Sequence, residues 1–123
     1  MASLPQVVLS SIQYGQVYPP YDGTSTTWSS NQFKGNGYYC YTDGLHTVTY
    51  SLSAFVGVLK FQPTLATNPT ETDWFDVSST SLGDGTNAVS GTYSYNFFGN
   101  FVWCRAHITN FSAGNINRVL YNT

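Results

Sequence analysis

The chain has 123 residues, of which 17% are aromatic and only 8% charged, with a formal net charge of −2. That length makes one domain with its own core, and so many aromatics with so little charge exclude a disordered chain. The four basic residues, Lys34, Lys60, Arg105 and Arg118, stand apart; nucleic acid and acidic membranes need clustered cations and are excluded as partners.

In chain order, Gln6–Ile12 is short and β-prone and predicts an edge strand. Its N-terminal side has no positively charged region and too short an apolar segment for a signal peptide, so use without a secretion signal of its own is expected. Residues 13–27 carry Gly15, Pro19-Pro20 and Asp22-Gly23, which mark turns. This stretch predicts a long surface loop, or an extended arm reaching a neighbouring subunit with Tyr14, Tyr18 and Tyr21 as anchors. Tyrosine offers large contact area at small entropic cost. Tyr38 and Tyr39 join that candidate partner-binding set.

Trp28–Phe33 and Tyr38–Tyr41 predict short strands, separated by a turn at Lys34-Gly-Asn-Gly37. In His46–Leu52, Val48, Tyr50 and Leu52 fall on one face and Thr47, Thr49 and Ser51 on the other. That period of two marks a strand with one buried face. Phe55–Gln62 predicts another strand, with Phe55, Leu59 and Phe61 on one face. Residues 66–73 predict a turn carrying one helical turn, with Pro69 at its start. Trp74–Thr80 predicts a strand with Trp74 as a plug, and Thr92–Phe97 a further one.

The last stretch predicts two strands, Phe101–Phe111 and Ile116–Tyr121, joined by a hairpin turn at Ser112-Ala-Gly-Asn115 with Gly114 supplying positive φ. Val102, Cys104, Ala106 and Ile108 form its apolar face, and Phe101, Trp103, Arg105, His107, Thr109 and Phe111 the other. The expected fold is all-β, a jelly-roll-like antiparallel β-sandwich of about eight strands, in a single domain over residues 1–123.

Chemistry is sparse. His46 and His107 lack a neighbouring nucleophile signature, so no catalytic residues are assigned. Cys40, Cys104, His46 and His107 fit no metal-ligand spacing, and no metal or other cofactor is expected. The two cysteines are expected to stay reduced in a protein used without secretion, with a Cys40–Cys104 disulfide as the alternative, since both fall in expected strands that could face each other. Arg105, mid-strand among core positions, calls for a carboxylate, because a buried unpaired cation is costly. Asp43 and Asp73 are the expected partners in this structural clamp. Trp28, Tyr38, Tyr39, Tyr41 and Trp74 form a pool from which a glycan-stacking platform could be built.

Three blocks carry a family resemblance: Phe33–Val48, with its Gly-Tyr-Tyr and Asp-Gly-Leu-His-Thr-Val; Gln62–Pro69 continuing to Asp73-Trp-Phe75; and Phe98–Ala106 continuing through Phe111-Ser-Ala-Gly-Asn-Ile to Asn122. Spanning about half the chain or a little more, they resemble the small virion structural proteins of tailed bacteriophages of the cyanophage and marine-phage type. The sequence departs from that pattern at Cys40 and Cys104. The resemblance implies a non-enzymatic protein of the virion, assembled in the host cytoplasm. Its expected role is capsid decoration or cement, binding the major capsid protein or other virion proteins and its own copies. A neck, tail or fibre component, or a carbohydrate-binding module for host adhesion, is the alternative expectation.

Overall fold

The computed structural model describes residues 6–19, 21–35 and 44–122. The chain is all-β and antiparallel. Among the described residues six strands are formed: β1 (Gln6–Gln13), β2 (Trp28–Ser29), β3 (Phe33–Lys34), β4 (Leu45–Thr64), β5 (Val89–Phe98) and β6 (Trp103–Asn122). They form one sheet of order β1-β6-β4-β5, with β2 and β3 pairing β6. Helical structure among the described residues is two three-residue 3-10 turns, Glu71–Asp73 and Ser78–Thr80.

The central fact is that β4 and β6 are twenty residues each. The two strands expected at 46–52 and 55–62 are one, and so are those expected at 101–111 and 116–121. The hairpin expected at Ser112–Asn115 is absent, and this segment lies within β6. Gly114 has positive φ (87°), as expected, but spends it on a bend rather than a chain reversal.

Compensating irregularities produce the bend. Ala54 in β4 and Asn110 in β6 have φ of 51° and 54°, a left-handed conformation that costs roughly 1–2 kcal/mol for an ordinary residue. Each shifts the alternation by one. Val48, Tyr50 and Leu52 are buried before Ala54, and Phe55, Leu59 and Phe61 after it. Likewise Cys104, Ala106 and Ile108 are buried before Asn110, and Phe111 after it. A one-residue slip would otherwise turn the apolar set toward water. Phe111 thus joins the face of Ile108 rather than that of His107, contrary to strict alternation. The register confirms the bulge, because Val56 and Val58 of β4 lie opposite Ala113 and Thr109 of β6.

Distances give the size of the bend. Phe61 lies thirteen positions along β4 from Val48, the residue opposite Tyr121, which in a straight strand is about 43 Å. Yet the rings of Phe61 and Tyr121 are 5.0 Å apart, and Cys104 Sγ donates to Tyr121 Oη at 3.5 Å. The ends of both long strands therefore come back to face their beginnings. One half of the core gathers Phe61, Phe97, Phe101, Tyr121 and the buried His46, whose ring stacks on Phe97 at 4.7 Å. Tyr21, Trp28, Phe55 and Phe111 pack together beside the bend.

Two other expectations change. Residues 74–80 are not a ladder strand, although Phe75 and Val77 each donate a backbone N–H to β4. The Thr80 hydroxyl accepts the Phe61 N–H and donates to Val77 O, so a side chain takes the place of a strand bond. The expected strand at 28–33 is two short pieces, β2 and β3. Between them Ser30 exchanges bonds with Ala106, its Oγ accepting the Ala106 N–H. The strand expected at Tyr38–Tyr41 lies outside the described residues.

Candidate functional site

Arg105 sits opposite Gln62 on the sheet face turned away from the main core. It is nevertheless buried, because the loop after β4 folds back over it. Its Nε donates to Gln62 Oε1 at 2.9 Å. Its two terminal nitrogens donate to the two carboxylate oxygens of Glu71, each at 3.1 Å. Its guanidinium carbon stands 4.5 Å from the Trp74 ring centroid, within range for a cation–π contact. Gln62 passes the link on, its Nε2 donating to Asp76 Oδ1 at 2.8 Å, and Lys60 pairs with Asp76 at 3.2 Å. A planar fork matched to a carboxylate is the reason arginine suits this position.

The partner is Glu71, not Asp73. Asp73 turns its carboxylate back on its own 3-10 turn, where Oδ2 accepts the Thr70 N–H at 2.7 Å. A local bond three residues away needs no tertiary search, and it leaves Glu71 the free carboxylate of that turn. Asp43, the other expected partner, lies outside the described residues.

The loop between β1 and β2 is tied down rather than extended. Tyr18 and Tyr21 exchange backbone hydrogen bonds, and Asp22 Oδ1 accepts the N–H groups of Thr24 and Ser25. Tyr21 is fully buried against Trp28 and Phe111, so it anchors the loop and is not available to a partner. Tyr14 and Tyr18 remain exposed, by 41% and 48%, with Val17 between them at 73%. Beside them runs a groove of about 190 Å³ lined by Val7, Leu9, Ile12, Tyr18, Pro19 and Phe33 among others. Exposed Val17 and this groove had no sequence signal beyond turn residues. Tyr38 and Tyr39 lie outside the described residues.

The remaining candidates are occupied by structure. His46 Nδ1 and Nε2 bond Tyr121 Oη and Gly99 O at 2.7 and 2.6 Å. His107 Nδ1 meets Ser29 Oγ at 2.7 Å. Cys104 is a buried free thiol, and burial pushes its pKa up to about 12. Cys40 lies outside the described residues. Of the tryptophans, Trp28 is buried, Trp74 stacks with Arg105, and Trp103 Nε1 donates to Thr67 O. Of the glycan-stacking pool, Trp28 is buried, Arg105 takes one face of the half-buried Trp74, and Tyr38, Tyr39 and Tyr41 lie outside the described residues.

The charges give a pH dependence in two steps. Burial and the nearby Arg105 hold the His107 pKa below its ordinary 6.5. The unfolded chain then takes up that proton first, and stability falls as pH drops below about 6.5. Hydrogen bonds from Ser25 and Thr24 lower Asp22 from 3.8 to about 2. Asp84 is lowered by the Asn87 and Thr86 N–H groups, Glu71 by Arg105, and Asp76 by Gln62. Carboxylates of this kind add stability above their unfolded values and lose it as pH falls through the folded ones. The thermal midpoint is therefore expected to be highest above pH 6.5, to fall slightly below it, and to fall again between about 4 and 2. His107→Gln should remove the upper step and Asp22→Asn part of the lower one. A profile flat from pH 8 to pH 3 contradicts this assignment.

Among the described residues no helix is long and apolar enough to cross a membrane, and no three His, Cys, Asp or Glu side chains gather as a metal site. No family model matches the chain, and neither a curated protein nor a solved structure matches it significantly.

Proposed function

We propose that the chain is a non-enzymatic structural protein of a tailed-phage virion, a decoration or cement protein that binds the head shell through its loops. The observation that carries the binding surface is the β1–β2 loop. Its exposed Tyr14, Val17 and Tyr18 stand on a base pinned by buried Tyr21, next to a groove of mixed lining. An apolar, aromatic tip held rigid loses little entropy on docking. The low charge of the chain agrees with burial against many neighbours. The doubled-over sheet is read as a jelly-roll-like sandwich, a shape that carries loops at its ends. The resemblance of the three sequence blocks supplies the virion itself.

Purified protein is expected to co-sediment with empty expanded heads of the parent phage. Replacing Tyr14, Val17 and Tyr18 together by serine should weaken binding at least about tenfold while leaving the fold intact. Unchanged binding of the triple variant would remove the loop from the reading. A copy number of only a few per particle would move the protein to the neck, tail or fibre.

A further inference from the structure

We propose that the free edge of β5 is a dimerisation surface that pairs antiparallel with β5 of a second copy. This does not rest on the virion reading. β5 is the last strand of the sheet and pairs only β4 among the described strands. From Leu45↔Phe98 to Leu52↔Gly91 the pairing runs eight consecutive residues without a register shift. The edge is thus regular as far as Gly91, whose positive φ (118°) ends the run. Soluble proteins blunt such edges with lysine, proline or a bulge. The sequence Val-Ser-Gly-Thr-Tyr-Ser-Tyr-Asn-Phe-Phe of β5 has no charge and no proline.

The opposite edge is unlike it. β1 is interrupted by a register shift between Val7 and Leu9 and by Ser11 at φ 57°. Tyr18, Pro19, Asn31 and Phe33 stand beside it. The two edges of one sheet are therefore treated differently, and among the described strands β5 is the one left fit to pair.

A second copy of the same strand fits this edge best. Tyr93 Oη donates to Ser90 O, which occupies the start of the strand. The usable window is then Gly91–Phe97, whose midpoint is Ser94. With Ser94 on a two-fold axis, Gly91 faces Phe97 of the second copy and Tyr93 faces its Tyr95. Facing aromatic pairs favour strand pairing. No like charges meet. Seven paired residues supply about seven backbone hydrogen bonds, within the range of an ordinary interface. On the outer face the row of Thr92, Ser94 and Asn96, already bonded to Ser51, Thr49 and Thr47, would continue across the axis. Phe98 at the end of the strand is 76% exposed and would be partly covered.

Light scattering during gel filtration tests this. The full chain at about 200 µM is expected to elute at twice its 13.6 kDa mass. Ser94→Lys places two ammonium groups at the axis from an exposed position, and should raise the dissociation constant at least about tenfold. Val7→Lys on the other edge should leave it unchanged. In parallel, Ser94→Cys should give a reducible covalent dimer on mild oxidation. A monomeric wild type overturns the proposal, as does a dimer that Ser94→Lys leaves intact or that Val7→Lys dissolves. Should Ser94→Lys not fold, the absence of the Ser94→Cys disulfide overturns it instead.

Discussion

Gly114→Ala is expected to destabilise the protein by at least about 3 kcal/mol, a large loss for one methyl group. Gly114 has φ 87° inside β6, and a Cβ there would overlap the carbonyl of Ala54 across the pair. The obstacle is backbone on both sides, and neither strand can yield without unbending. Gly15→Ala is the control, because Gly15 also has positive φ (85°) but nothing lies within 4 Å of a Cβ. It should show the conformational strain alone, about 1–2 kcal/mol. Urea unfolding of both variants separates the two contributions. Equal losses would mean that the bend of β4 and β6 is not held at Gly114. Gly57, where a Cβ would meet Phe55 Cζ at 2.9 Å and Thr109 O at 3.1 Å, lies at the same bend.

The second large effect is at Arg105. Arg105→Ala should cost about 3 kcal/mol, from a Gln62 carbonyl left without its donor, the lost contact with Trp74 and the space vacated under the loop. Glu71→Ala should cost less than about 1 kcal/mol, although its ion pair is bidentate. The Glu71 side chain is 84% exposed against 8% for Arg105, so water replaces much of what the carboxylate gives. Burial, not the ion pair, decides the ranking. Chemical denaturation gives the energies, and limited proteolysis within 66–76 shows whether the loop has lifted. Equal losses for the two variants would place the clamp's strength in the ion pair instead.

Local patterning was legible. The buried sets Val48, Tyr50, Leu52 and Phe55, Leu59, Phe61 follow from period-two alternation, because a sheet face is either wet or dry. The edge character of β1, the positive φ of Gly114 and the need of Arg105 for a carboxylate were also readable. So was the turn around Asp22-Gly23, whose carboxylate bonds its own following residues. Each depends on a residue and neighbours within a few positions.

What the tertiary structure decided is continuity and partnership. The break in alternation at 53–54 and the turn residues at 112–115 read as strand ends, since a bulge and a strand end leave the same mark on the pattern. Only the facing strand shows that Ala54 and Gly114 bend one long pair. Likewise Tyr14, Tyr18 and Tyr21 look alike in sequence. Tyr21 is buried because Trp28 and Phe111, distant in the chain, meet it. Asp73 was an expected partner for Arg105, but its short turn draws it to its own backbone and Glu71 takes its place. The sequence by itself determined which residues are buried along each regular run between the bulges, because that depends on alternation. The bend, the clamp partner and the exposed edge of β5 depend on which distant segments come together, and contacts of that kind leave no period to read.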